Sequence, residues 1–218
     1  MSLRFLAFTD LHHEPAVFPH DAPAFLRSIL SRGEAAGASF AIQLGGFLHT
    51  LPQNGWLADE YAEAALPTYN VFGNHDTDQD EMPRILEMYR IERSYYHFDC
   101  EGYRIIVLDP NYNIVNGEVI HYAPGVPQGA GYIPREQIDW LASVIAEAPG
   151  PCILCSHQSL ERTEKIRIEG TMGDYITPVS REELLRVDQR RLSDERLCSP
   201  SVRSYEVDLT RGSVTVLK

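Results

Sequence analysis

Short apolar runs alternate along the chain with longer stretches whose apolar residues recur at helical spacing. The runs are Arg4-Phe5-Leu6-Ala7-Phe8, Phe40-Ala41-Ile42-Gln43-Leu44, Tyr69-Asn70-Val71-Phe72, Ile105-Ile106-Val107-Leu108 and Cys152-Ile153-Leu154-Cys155. Each is short and gives way to polar residues, which predicts buried strands. Between them the pattern predicts helices over 23–36 behind an Asp21 cap, 57–65, 81–90 and 134–147. In the last of these Pro134 suits a first turn, and Ile138, Leu141, Ala142 and Ile145 share one face. Such alternation argues an α/β fold. Two β-rich stretches flank Asp99-Cys100-Glu101-Gly102 and predict a hairpin over 95–109, so the sheet is mixed. Near the end, Tyr205, Val207 and Leu209 alternate, Arg211-Gly212 turns, and Val214 and Val216 alternate again, which predicts a second hairpin added to the sheet. Residues 111–131 read as one long loop, and Glu182 to Leu192 as an amphipathic helix. With no repeat, linker or low-complexity segment, residues 1–218 read as a single domain.

At 218 residues a chain can bury about 70% of its unfolded surface without disulfides. A composition of 44% hydrophobic and 23% charged residues excludes a disordered or collagenous chain. The formal charge of −12 repels a phosphate backbone and argues against general nucleic-acid binding. It leaves phosphate chemistry open, because a bound metal ion reverses the local sign. The opening MSLRFLAFTD is too short in apolar length for a secretory core, and no run approaches the roughly 18 residues of a membrane helix. The expectation is a cytoplasmic protein with no membrane partner. Cys100, Cys152, Cys155 and Cys198 then read as reduced thiols, and Cys152 and Cys155, three apart on a strand, face opposite sides rather than forming a zinc or redox pair.

The chemistry gathers where the runs end, as open α/β sheets favour. The first ends in Asp10-Leu11-His12, the second in Gly45-Gly46, the third in Gly73-Asn74-His75-Asp76, and the fifth in Ser156-His157. Asp10 and His12 at an extended strand end project to one side and could chelate one ion. Asn74 and His75, being adjacent, point apart, so one can ligate a metal while the other approaches the substrate. Taken singly, a strand-end Asp caps a turn and a lone His is hydrogen-bonded; in this order, each after a buried run, they read as a site. His13 and His20 read as solvated, His97 as a hairpin residue, Trp56 and Trp140 as packing residues, and Tyr112, His121 and Tyr122 as a wall of the substrate pocket.

Through Asp10-x-His12, Gly73-Asn74-His75-Asp76, His157 and the helix-like Arg135-Glu136-Gln137-Ile138-Asp139-Trp140-Leu141, the chain resembles the calcineurin-like metallophosphoesterase superfamily over roughly residues 3–160. The resemblance implies an αββα sandwich, mixed sheets flanked by helices, with a shortened C-terminal part. It also implies a phosphodiesterase or phosphomonoesterase acting on a small phosphoester with up to two divalent ions, Mn, Fe or Zn. Carried over by position, Asp10 and His12 hold one ion, Asn74 and His157 the other, and His75 contacts the phosphate, oriented by Asp76.

The pattern departs from the family at two places. Where the family carries Gly-Asp-x-x-Asp, with the first Asp bridging the metals, this chain has Gly45-Gly46-Phe47-Leu48-His49. No histidine follows His157, so the Gly-His-x-His motif is absent. Two dications about 4 Å apart at an effective dielectric near 20 repel by roughly 16 kcal/mol before anions intervene, which a bridging carboxylate normally offsets. His49, Asp109 and Asp174 are the candidates to replace it. Two functions stay open: a phosphoesterase with an incomplete or rebuilt metal site, or a catalytically impaired relative that binds a ligand or partner.

Overall fold

Successive residues of one strand face different cores. In β1 (Arg4–Thr9), Phe5 and Ala7 pack with Phe40, Ile42, Ile105, Val107, Ile153 and Cys155, while Leu6 and Phe8 pack with Leu26, Ile29, Leu57, Tyr61 and Ile85. The same parity governs the other sheet: Ile105 and Val107 of β5 (Tyr103–Val107) face β1, and Ile106 turns to Ile138, Leu141 and Val144 of a helix on the far side. Two sheets packed on each other, each covered outside by helices, follow from this alternation. The layers are those of an αββα sandwich, as the resemblance implied.

This arrangement is seen in a computed structural model that describes residues 3–49, 51–127, 131–158 and the strands at 184–188, 203–208 and 213–217. The first sheet joins β1 to β2 (Ala41–Gln43) and β3 (Thr68–Asn70) in parallel, and to the antiparallel pair β10 (Arg203–Asp208) and β11 (Ser213–Leu217) on its other edge. The second runs β4 (Tyr96–Cys100), β5 (Tyr103–Val107), β8 (Cys152–Ser156), β9 (Leu184–Asp188). Its β4–β5 hairpin turns at Glu101-Gly102, both at positive φ as a two-residue turn requires. The expected terminal hairpin is the β10–β11 pair, added to β1.

Helices α1 (Ala22–Ala35), α3 (Trp56–Ala62) and α4 (Met82–Tyr89) cover the first sheet, and α5 (Arg135–Ala146) the second; α2 is the short turn Leu51–Asn54. Asp21 caps α1 by accepting from the Ala24 amide at 2.9 Å, and Gly33 lets the helix approach Leu6, whose Cδ2 would lie 3.2 Å from a Cβ there. The buried face of α5 is centred on Ile138, Leu141 and Val144, with Ile145 at its margin. Cys152 faces α5 and Cys155 faces β1, so the two thiols lie on opposite sides of β8.

Three readings are corrected. The Glu182–Leu192 stretch contains a strand, β9, because the free edge of β8 offers unpaired backbone groups that Leu184–Asp188 satisfies in parallel register. The 111–131 loop contains a hairpin of its own, β6 (Tyr112–Val115) and β7 (Glu118–His121), turning at Asn116-Gly117. Trp56 is about half exposed, with its ring 5.3 Å from that of His13, whereas Trp140, on α5, packs against the core beneath that helix and carries the Arg93 guanidinium at 5.3 Å.

Candidate metal centre

The carboxyl ends of β1, β2, β3 and β8 meet at one edge. Their loops are zipped together by backbone bonds: the amides of Asp10, His12 and His13 donate to the carbonyls of Gly45, Gly46 and Phe47. A Cβ at Gly73 would meet the Gly46 nitrogen at 2.4 Å, so glycine is needed there for three loops to converge. Asp10 and His12 are left-handed, at φ 56° and 46°, not extended as the spacing suggested. The strand ends at Thr9, and two left-handed residues aim the side chains together, His12 Nε2 lying 3.3 Å from Asp10 Oδ1. Backbone strain of this kind, on the order of 1–3 kcal/mol per residue, is concentrated at functional sites.

The second pair is His157 Nε2 and Asn74 Oδ1, 3.0 Å apart. His157 Nδ1 lies 2.8 Å from the Leu44 carbonyl, which can only accept, so the ring proton sits on Nδ1. With a proton on Nδ1, Nε2 can turn its lone pair toward the place that the Asn74 side chain also reaches, and a cation there would take a donor atom from each. A metal-ligating histidine commonly anchors its other nitrogen on a backbone carbonyl in this way. With metal–ligand bonds of about 2.0–2.2 Å, neighbouring donors lie about 3.0–3.4 Å apart, so both pairs fit a divalent ion by chemistry and by distance. The Gly45-Gly46 turn touches both pairs: a Cβ at Gly46 would lie 2.8 Å from Asp10 Oδ1 and 3.1 Å from His12 Cε1, and one at Gly45 2.6 Å from His157 Nδ1. The place of the family's bridging carboxylate is thus inside the site and holds no side chain.

His75 was expected to be oriented by Asp76. Asp76 is instead buried and accepts from the amides of Gly46, Phe47, Leu48 and Gly73 and from the Tyr89 hydroxyl. The 3-10 turn His75–Thr77 carries its side chain away from the imidazole, toward the β2 loop. Asp78 holds His75, its Oδ2 lying 2.6 Å from Nδ1. That bond raises the His75 pKa above its usual range against the lowering effect of burial. Burial pushes Asp78 up, but bonds from His75 and Tyr122 and the nearby imidazoles outweigh it and leave the carboxyl low.

His49 stands beside this dyad. Its Nε2 is 2.8 Å from His12 Nδ1, and its ring is 5.1 Å from those of both His12 and His75. Burial, then the neighbouring imidazoles, lower its pKa and keep it neutral. Among the described residues, His49, His75 and Asp78 offer one donor atom each within 4.8 Å of one another. The other candidates for the missing acid divide: Asp109 is fully buried and held by Asn111 and His121, and Asp174 lies outside the described residues. His13 is buried, not solvated, while His20 is partly exposed with Nε2 2.6 Å from the Leu11 carbonyl.

Asp78 is the residue the sequence reading missed. An acid three positions after His75, across one turn, was its signal.

The calcineurin-like phosphoesterase family model matches residues 3–191, and the chain belongs to that family. A manganese-dependent ADP-ribose/CDP-alcohol diphosphatase from Oryza sativa subsp. japonica is 23% identical over 190 residues, covering 67% of this chain and 59% of the rice protein. The chain thus spans about three fifths of that relative's length. A dimetal phosphatase from Danio rerio superposes with a TM-score of 0.64 at 11% identity, over 99% of this chain and 98% of the other, which is a likeness of fold. Among the described residues no helix is long and apolar enough to cross a membrane.

Proposed function

We propose that this chain is a metal-dependent hydrolase of small phosphoesters. The observation that carries the reading is the two donor sets, Asp10 with His12 against Gly46 and Asn74 with His157 against Gly45, at one edge of the sheets. Divalent ions held there, Mn, Fe or Zn, would supply the charge that lowers the pKa of water and offsets the phosphoryl oxygens. His75 presents Nε2 to the leaving group and gives it a proton as the P–O bond breaks, while water supplies the new oxygen and the replacement proton. Asp78 accepts from Nδ1–H and favours the doubly protonated ring, which carries on Nε2 the proton that is given. The rice relative's name refers to ADP-ribose and CDP-alcohols, so a diphosphate-linked nucleotide is the first substrate class for this chain. Its charge of −12 disfavours a polymeric nucleic acid.

The test is metal content of protein purified without chelator, with hydrolysis of ADP-ribose and bis(4-nitrophenyl) phosphate with and without Mn²⁺. Turnover should require metal, vanish with chelator, and fall by on the order of a hundredfold or more in N74A and H75A. Metal-independent turnover, or turnover unchanged in both variants, would sink the reading. The glycine at position 46 favours a second one, a binding module descended from such enzymes. G46D separates them: restored metal-dependent turnover in an otherwise inert protein supports the binding module, whereas turnover already present in the wild type supports the hydrolase.

A further inference from the structure

We propose that Tyr122, at the end of the β6–β7 hairpin, is a positioning residue for His75 that acts through Asp78. The proposal rests on the hydrolase reading. Asp78 spends its two oxygens separately: Oδ2 is 2.6 Å from His75 Nδ1, and Oδ1 accepts from the Tyr122 hydroxyl at 2.6 Å. A carboxylate that holds an imidazole by one oxygen alone can pivot about its Cβ–Cγ bond. A second bond on the other oxygen removes that rotation, so the plane of the carboxylate, and with it the direction of His75 Nε2, is fixed before substrate arrives.

The hydroxyl is delivered by an anchored element. His121 lies with Nε2 3.0 Å from the buried Asp109 carboxylate and Nδ1 2.7 Å from the Tyr122 carbonyl. The Tyr122 amide donates to the Asn111 carbonyl at 2.7 Å, and Asn111 in turn donates to Asp109. Asp109, a candidate for the missing metal ligand, therefore serves as the base of the hairpin. Burial first, then the Asp78 carboxylate, push the Tyr122 hydroxyl up to about 12, so it stays a donor across the neutral range. Among the described residues the hydrogen bond to Asp78 Oδ1 comes from the Tyr122 hydroxyl alone.

The test compares full-length wild type, Y122F and D78N, with two readouts. With Mn²⁺, Y122F should lower kcat on diphenyl phosphate roughly tenfold with little change in KM, and lower it several-fold less on bis(4-nitrophenyl) phosphate, whose leaving group needs no proton. A merely structural role would lower both alike. In the metal-free protein, the ¹⁵N shifts of the His75 ring should report a proton on Nδ1 in the wild type, and a mixture of tautomers in Y122F and D78N. Equal losses on the two esters, or ring shifts unchanged in Y122F, would overturn the proposal. A wild type inert on both esters and on ADP-ribose would refute the hydrolase reading alone, and the tautomer readout would then decide the positioning role.

Discussion

Asp76 and Asp78 are the same side chain two positions apart, and they do unrelated work. Asp76 gathers four backbone amides and a tyrosine hydroxyl at a point with almost no solvent access, and so holds the loops after β2 and β3 to each other. Hydrogen bonds to a charged acceptor contribute about 1.5–3 kcal/mol each, and an unmet buried donor costs about as much. D76N keeps the shape but turns one acceptor into a donor facing N–H groups. The expected loss is about 3–5 kcal/mol, read as a fall in the urea midpoint at unchanged slope. A loss under about 1 kcal/mol would mean that water replaces the carboxylate, which its burial disfavours. This division of labour was invisible in Gly-Asn-His-Asp as a string. It depends on a 3-10 turn that sends alternate side chains to different loops, a fact of tertiary structure.

At the scale of elements, legibility followed burial. The five apolar runs became β1, β2, β3, β5 and β8 because each is covered on both faces, and nothing in tertiary context opposed their propensity. The β6–β7 hairpin escaped because only one of its faces is covered: Ile114 and Val119 are about half exposed, so no run of apolar residues marks it. Its signal was Asn116-Gly117, both at positive φ as a tight hairpin turn demands. β9 left no such signal, since its partner is an edge created by the rest of the fold. Gly117 sits at φ 87° with nothing within 4 Å of a notional Cβ, so an alanine there meets backbone strain alone. G117A should cost about 1 kcal/mol or slightly more, and hydrogen exchange of the Asn113 and Ile120 amides, which face each other in the ladder, should quicken with little change elsewhere. Uniform acceleration through β1 and β5 would instead tie the hairpin to global stability.

For the molecule as a whole, the candidate site straddles both sheets: Asp10, Gly46 and Asn74 leave strands of the first, and His157 leaves β8 of the second. Its two donor pairs keep their spacing only while the shared core, with Phe5 stacked on Phe40 at 4.8 Å, holds the sheets together. The cysteines report on that. Cys155 lies in this core, its pKa pushed up to about 12 by burial, whereas Cys152 faces α5 and Cys100 is partly exposed at the end of β4. In a C198S background a thiol reagent should label Cys100 first. Cys152 and Cys155 should follow together, slowed by the unfolding equilibrium, a factor of on the order of 10³–10⁸ for a stable domain. Mn²⁺ at about 100 times its Kd should slow both by roughly a further hundredfold, because the ion binds only the native arrangement of loops. Labelling of Cys155 ahead of Cys152 would show the sheets parting before β8 and α5 separate. The donor pairs would then be held by their loops and not by the core beneath them.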